Sequence, residues 1–486
     1  MNSLFPSSAD FFRVAPEILL TIFGTLLMVL EPITGDGKGE KPMLRWLAIV
    51  GLVLALAAAV FAYGDPGAAF NGMLLVDGFG TFFRVLVTGT GLLTVFCAQD
   101  YLVRERHENG EFYALLLFSI AGQCIMATAN ELIILFIGLE ISSISSYILA
   151  GFVRDDRRSN ESALKYFLLG SFATGFLLYG VAWVYGITGS TNLTAIHNTL
   201  AAGPVNPRLL GLAAALMFVG FAFKVSAAPF QVWAPDVYQG APVPVSAFLS
   251  AGPKAAAFAI FLRVFTTAFG SMAAQWEPVF WGSALLTMVI GNFAALRQSN
   301  IKRLLAYSSI AHAGYVMVAV TSHSQVGTAA AMFYLASYAF VNVGAFAVVG
   351  YVAAKGEKHL SIEDFGGLAA RQPLAALVMT IFFTSLIGVP LTAGFFGKFY
   401  IFTAALEAGM VWLTVLGLLN SAVAAYYYLR VIVVMYTHEP SLAVQELHPA
   451  SGGLQFGWMV AAAATLILGV FPSRLLEFAS RAALLR

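Results

Sequence analysis

Long apolar runs recur from one end of the chain to the other, separated by short polar segments. Runs such as 16–30, 46–63, 112–128 and 454–471 are long enough to cross a hydrocarbon core, which takes about 20 apolar residues. The pattern predicts an all-α integral membrane protein with about 14 transmembrane helices. Their expected spans are 16–31, 44–63, 77–97, 112–129, 131–152, 162–187, 209–229, 243–265, 275–296, 302–321, 327–354, 374–404, 410–436 and 454–472. The first run is expected to be a retained helix rather than a signal peptide, because Met1–Phe12 has no basic stretch and no small-residue cleavage site follows Leu30.

Two runs are interrupted. The seventh ends in Ala-Ala-Pro229 with Pro235 following, and the twelfth is cut by Gly388-Val389-Pro390. Proline removes an amide donor and clashes with the preceding turn. Backbone groups freed at membrane depth are tolerated only where protein or a wet cavity covers them, and paired interruptions in two halves of a transporter mark its central site. Each break lies beside a lysine, Lys224 and Lys398 respectively, five helices apart. That spacing points to an internal repeat, with units at 112–270 (helices 4–8) and 271–440 (helices 9–13). Three helices over 1–111 precede them, and a last helix with its tail follows over 441–486.

Composition agrees with this reading, since 59% of the 486 residues are hydrophobic and 10% are charged, against about a quarter charged in a soluble domain. With a net charge of +1 and basic residues scattered over short loops, there is no basic face for nucleic acid, and the expected surroundings are lipid and other membrane proteins. Cys97 and Cys124 have no nearby CxxC or Cys/His partner, so they read as packing residues rather than ligands. No phosphate loop, dinucleotide fingerprint, nucleophile elbow or metal cluster is present in the sequence, which argues against bond chemistry in this chain.

The basic residues alternate. Loops after odd-numbered helices hold Lys38, Lys41 and Arg45, then Arg104 and Arg106, then Arg154, Arg157 and Arg158, then Arg297, Lys302 and Arg303, then Lys355, Lys358 and Arg371. Loops after even-numbered helices hold little more than Arg208. Because cytoplasmic loops carry the excess of Lys and Arg, both termini are expected on the non-cytoplasmic side. Two features depart from the rule: the loop after the seventh helix lacks Lys and Arg, and Arg474, Arg481 and Arg486 follow the last helix on the external side.

Of nine lysines, Lys224, Lys254 and Lys398 lie inside hydrophobic stretches and Lys165 lies near the start of another. Placing an ammonium there costs at least about 2.5 kcal/mol, which marks such residues as functional candidates. Glu140 is nine residues past Glu131, roughly 14 Å into its helix at 1.5 Å per residue. Groups so placed can change protonation near neutral pH, which is what a proton relay requires, and Glu140 with Lys224 is the expected pair. The alternative is a buried ion pair that only pins two helices. His312 is placed to pass protons between Lys254 and Lys398, with a packing histidine as the alternative. Lys165 has Glu161 one turn before it and a stem able to snorkel. Glu17 and Asp77 begin apolar spans and are expected at the external interface, where helix N-termini favour carboxylates.

One long segment resembles a known family: Phe223-Lys224-Val-Ser-Ala-Ala-Pro229-Phe-Gln-Val-Trp233-Ala-Pro235-Asp236-Val-Tyr-Gln-Gly240-Ala-Pro242-Val-Pro244. It is similar to the antiporter-like membrane subunits of respiratory NADH:quinone oxidoreductase, complex I. Phe248-Leu-Ser-Ala-Gly-Pro253-Lys254 is closest to the subunit N branch of that family. Pro16-Glu17-Ile-Leu-Leu, Ala163-Leu-Lys165-Tyr-Phe-Leu-Leu-Gly170, Lys302-Arg303-Leu-Leu-Ala-Tyr-Ser-Ser-Ile-Ala-His312 and Gly388-Val-Pro390-Leu-Thr-Ala-Gly394-Phe-Phe-Gly-Lys398 extend the likeness over nearly the whole chain.

The resemblance implies 14 helices with two inverted five-helix repeats, each holding a discontinuous helix, and a proton path that maps onto Glu140, Lys224, Lys254 and Lys398. It implies other membrane-arm subunits as partners, including neighbouring antiporter-like ones, and the inner membrane of a bacterium as the location. It further implies that NADH, FMN, iron-sulfur clusters and quinone are handled by other subunits, with no cofactor bound here. The rival readings are a sodium/proton antiporter subunit of the same superfamily, a non-pumping structural membrane subunit, and a metabolite transporter, for which a substrate-sized polar cluster at the breaks would be expected.

Overall fold

The computed structural model describes residues 6–34, 41–203 and 206–483; Lys38 and Arg486 of the charge pattern lie outside them. The chain begins with α1 (Ser8–Arg13), α2 (Ala15–Leu30) and α3 (Pro42–Ala62), followed by a small hairpin of β1 (Gly67–Ala69) and β2 (Leu74–Val76), paired antiparallel. Next come α4 (Gly78–Glu105), α5 (Gly110–Thr128), α6 (Leu132–Ala150), α7 (Arg157–Thr188), the short α8 (Leu193–Ala202), α9 (Pro207–Val225), α10 (Trp233–Gly240) and α11 (Val243–Arg263). The second half runs through α12 (Ala273–Leu296), α13 (Ile301–Thr321), α14 (Gln325–Val352), α15 (Leu368–Arg371), α16 (Pro373–Ile387), α17 (Ala393–Glu407), α18 (Val411–Thr437), α19 (Leu442–Gln445), α20 (Gly452–Val470) and α21 (Ser473–Ala482).

Among the described residues, 13 helical stretches are long and apolar enough to cross a bilayer. The remaining expected span, 374–404, is filled by α16 and α17 as two 15-residue halves. Within the bundle α11, α13 and α14 are almost wholly buried, whereas α2, α7, α18 and α20 leave most of their surface outside. The outward surface is apolar, as in the exposed stripe Ile133, Ile137, Ile141, Ile144 and Ile148 of α6, which is the pattern of helices facing hydrocarbon. Small residues bring backbones together inside. A Cβ on Gly122 of α5 would stand 2.6 Å from the Gly138 carbonyl oxygen of α6.

Both interruptions break their helices, and at the first the freed backbone groups are taken up by protein. The seventh span stops at Val225, earlier than the expected 229, because Ser226 turns left-handed (φ 62°) ahead of Pro229. The Ala228 amide donates to Thr287 Oγ1 (2.7 Å) and the Ala228 carbonyl accepts from Ser283 Oγ (2.6 Å), both on α12, while Trp233 Nε1 donates to the Phe223 carbonyl (2.8 Å). At the second break Gly388 (φ 94°) and Leu391 (φ 72°) turn the chain between α16 and α17. The carbonyls just before this turn, Leu386 and Ile387, accept from Lys398 Nζ, while Val389 and Leu391 in the turn itself are exposed.

Two expectations about charges are corrected, for Glu17 and Lys302, and Asp77 at its helix N-terminus gains an ion pair. Glu17 is buried rather than interfacial: its Oε1 accepts from Nε of the fully buried Arg84 at 2.8 Å. Asp77 caps α4 by accepting from the Gly80 amide (2.6 Å) and also takes both guanidinium nitrogens of the buried Arg263 at 2.9 and 3.0 Å. Lys302, counted above as a loop residue, is completely buried: Nζ donates to Glu357 Oε2 (2.7 Å) and to the Ala241 carbonyl (2.6 Å). Glu357 Oε1 accepts in turn from Tyr101 OH (2.8 Å) and from the Val243 amide at the start of α11 (3.0 Å). The helices begin and end where opposite charges can be satisfied together, which hydropathy alone does not reveal.

Removing one partner of a buried ion pair strands the other, at about 3–5 kcal/mol. Lys302→Met is therefore expected to lower the yield of folded chain and its thermal midpoint sharply, and Lys302→Met with Glu357→Gln, which removes the charge but keeps an oxygen for Tyr101 OH and the Val243 amide, to recover much of both. Thermal unfolding in detergent, followed by fluorescence, checks this; equal damage in the single and double variants would contradict it.

Candidate functional site

Lys224 stands in the last turn of α9, at the first break. Its Nζ donates to Ser143 Oγ (2.8 Å) and Tyr147 OH (3.1 Å) of α6 and lies over the Tyr147 and Tyr166 rings at 5.0 and 5.5 Å. The expected ion pair with Glu140 is not formed among the described residues. Glu140 is the ninth of 19 residues of α6 and is half-buried, and its Oε1 is buried with no hydrogen-bond partner. The two nevertheless share a line, because Glu140, Ser143 and Tyr147 follow one another at i, i+3 and i+7 along one helix face.

Lys254 is the twelfth of 21 residues of α11 and immediately follows Pro253. It is 3% exposed, and its Nζ donates to the Ser309 carbonyl of α13 at 2.9 Å and to Ser309 Oγ. His312 lies three residues further on, again the twelfth of 21. It touches neither lysine directly: Nδ1 pairs with Tyr334 OH (2.5 Å) and Nε2 with Tyr428 OH (3.1 Å), and Tyr428 OH also bonds Ser308 Oγ. Tyr427 OH donates to Asn292 Oδ1 (3.0 Å), and Asn292 Nδ2 donates to Tyr315 OH (3.3 Å). Over the Tyr315 ring, 4.9 Å from its centre, stands Lys398 Nζ.

Lys398 belongs to α17 but is held by the other half of its broken span. Nζ donates to the last carbonyls of α16, Leu386 and Ile387, both at 2.9 Å, and to Ser421 Oγ of α18 at 2.7 Å. Carbonyls at a helix C-terminus lack intrahelical donors and carry the negative end of its dipole, so they suit a cation. Lys165 is different: Nζ pairs with Glu161 (2.7 Å) and with Asp236 of α10 (2.8 Å), and Asp236 also pairs with Arg303 of α13 (2.7 Å). Its side chain is 41% exposed, which makes it a surface ion network tying α7 to the half-helix α10 and α13.

Several participants escape a search for charges. Ser119 bonds the hydroxyls of Ser142 and Ser146 at 3.1 and 3.3 Å and accepts from Gln123 Nε2 at 3.1 Å; on α14, Asn342 Nδ2 donates to Ser250 Oγ of α11. The sequence does carry one signal for the first group, the run Ile-Ser-Ser-Ile-Ser-Ser-Tyr147 directly after Glu140. Tyr334, Tyr428 and Asn292 have no comparable sequence mark, since aromatic and amide residues are dispersed through the helices.

Residues 129–424 match the family model for the membrane domain described as NADH:quinone oxidoreductase/Mrp antiporter. The chain is 62% identical over 474 residues to NADH-quinone oxidoreductase subunit N 1 of Solibacter usitatus, covering 98% of this chain and 97% of that one. A chain from the structure of respiratory complex I of Thermus thermophilus with bound aureothin superposes with a TM-score of 0.81 at 36% identity, over 96% of this chain and 99% of that one. A chain from the Mrp complex of Dietzia sp. shares the fold, with a TM-score of 0.84 at 20% identity over 97% of each. This chain belongs to the NADH:quinone oxidoreductase/Mrp antiporter membrane family and, within it, to the NADH-quinone oxidoreductase subunit N family.

Proposed function

We propose that this chain is the subunit N-type proton-translocating element in the membrane arm of a bacterial NADH:quinone oxidoreductase, seated among other antiporter-like subunits and driven by quinone reduction elsewhere in the complex. Protons move through Glu140, Lys224, Lys254 and Lys398, with His312 linking the last two through tyrosines and Lys165 at the entrance. The observation that carries the reading is the way these cations are held. Lys224, Lys254 and Lys398 lie inside membrane-spanning helices with hydroxyls and carbonyls as partners, none of them carboxylates. A cation locked to a carboxylate resists losing its proton, whereas one held by neutral acceptors can give it up and recover it. Buried oxygens without protein partners, Glu140 Oε1, Gln123 Oε1, Tyr338 OH and Asn342 Oδ1, are suited to bridging by ordered water along the path.

The repeat units 112–270 and 271–440, inverted with respect to each other, form the working part in this reading, each with one broken span beside its lysine. The leading three helices and the last helix with its tail flank them. Identity to subunit N relatives favours this function over a free-standing sodium/proton antiporter, which shares the fold. A purely structural role would leave the neutral setting of the lysines without a purpose.

Lys224→Ala is expected to leave assembly intact on native gels while lowering NADH-driven proton uptake and NADH:quinone turnover in membrane vesicles by about tenfold or more, within the usual range for losing an acid–base group. Glu140→Gln keeps the shape but removes the titrating group, and the same two assays should show a comparable loss; Tyr147→Phe, which keeps the ring under Lys224, should cost less than either. Normal pumping in assembled Lys224→Ala complexes would overturn the relay.

The charge alternation supports placing both termini on the periplasmic side. Cysteines introduced at Ser7 and Ser473 should react with a membrane-impermeant maleimide in intact cells; reaction only after lysis would reverse the orientation.

A further inference from the structure

A large apolar cleft lies away from the relay. It measures about 650 Å³ and is walled by α3, α4, α14 and α20 with α21 at one end, through Leu56, Gly89, Phe340, Leu468, Leu475 and Phe478 among others. Apart from Tyr63 and Thr81 its wall residues are apolar, and Val60, Tyr63 and Ile467 on its rim are exposed. A void of this size would forfeit dispersion contacts on every wall, and an apolar cavity does not hold water. A flexible hydrocarbon chain fits.

The helix that closes the cleft supplies the other half of an amphiphile's site. In α21, Ala479 and Ala482 are buried, Ala482 against Gly78 at the start of α4, and Gln325 Nε2 at the start of α14 donates to the Ser480 carbonyl (2.8 Å). Phe478 packs on Tyr63 and Phe82 at ring distances of 5.9 and 6.3 Å. Arg474, Glu477 and Arg481 of the same helix are all exposed. Such a helix lies in the membrane interface, across the end of the bundle. Arg474 and Arg481 stand four residues before and three after Phe478, so both guanidinium groups flank the side chain that lines the cleft. In no ion pair among the described residues do they take part, and a planar guanidinium matches phosphate oxygens two at a time.

We propose that this cleft is a phospholipid site, with an acyl chain in the cavity and the phosphate of an anionic headgroup held by Arg474 and Arg481. It accounts for a feature of the sequence that the relay does not use: the basic residues after the last helix break the charge alternation because they serve a lipid headgroup rather than orientation.

The test uses the whole complex, relipidated in vesicles of phosphatidylcholine and phosphatidylglycerol, re-extracted, and weighed by native mass spectrometry. A Cβ at Gly89 meets nothing within 4 Å, so Gly89→Leu fills the cleft without disturbing the fold. Gly89→Leu and Ala464→Phe should each lose one tightly held phospholipid that wild type and Gly89→Ala retain, with assembly unchanged on native gels. Arg474→Gln with Arg481→Gln should keep a lipid in the cleft while its preference for phosphatidylglycerol over phosphatidylcholine falls about fivefold per arginine. An unchanged lipid count in both filling variants overturns the proposal. So does efficient cross-linking of Gly89→Cys to a neighbouring subunit, which would assign the cleft to a protein partner.

Discussion

Inside hydrocarbon every polar group needs a partner, and the rest of this structure follows from how that demand is met at the two broken spans. At the first, α12 lends Ser283 and Thr287 to the backbone around Ala228, and Trp233 reaches back to the Phe223 carbonyl. At the second, the partner of the freed carbonyls is itself a buried cation, Lys398. Two groups that would each be costly alone are thereby satisfied by one another. The second break is thus a place where an opened backbone holds a charge.

The cations within the bundle, buried or half-buried, fall into two classes by partner and by position. Arg84, Arg263 and Lys302 each face a carboxylate, from Glu17, Asp77 and Glu357. Arg263 is the last residue of α11, Lys302 the second of α13, and Glu17 the third of α2, so these pairs gather near helix ends and fix how helices meet. Lys224, Lys254 and Lys398 are held by hydroxyl and carbonyl oxygens instead. The same residue type occurs in both settings, and in the proposed relay it is the neutral acceptors that let the charge exchange.

Much of this was legible in the sequence. Apolar run length located the spans, and proline and glycine located both breaks, because each signal is local and expensive to violate; lysines in apolar surroundings are the residues proposed for the relay. Where the reading went astray the cause was three-dimensional. Glu140 and Lys224 were expected to touch, but Lys224 takes the hydroxyls of Ser143 and Tyr147 one and two turns along the same face. Lys302 read as a loop cation until Glu357, 55 residues away, was brought against it. Tyrosines and serines that carry the hydrogen bonds around His312 are too common in membrane helices for the sequence to single them out.

The Lys398 ammonium has three N–H bonds and, in this structure, three acceptors, the carbonyls of Leu386 and Ile387 and the hydroxyl of Ser421. A neutral amine keeps only two N–H bonds, so departure of the proton must release at least one of those acceptors. Two of the three belong to α16 while the amine belongs to α17. The linker between them is a turn through Gly388 and Leu391, in which the Thr392 amide donates to the Val389 carbonyl at 3.3 Å. Occupancy by a single proton is thereby written into how firmly one half of the broken span is tied to the other, and a chemical state at one nitrogen becomes a mechanical one in the backbone.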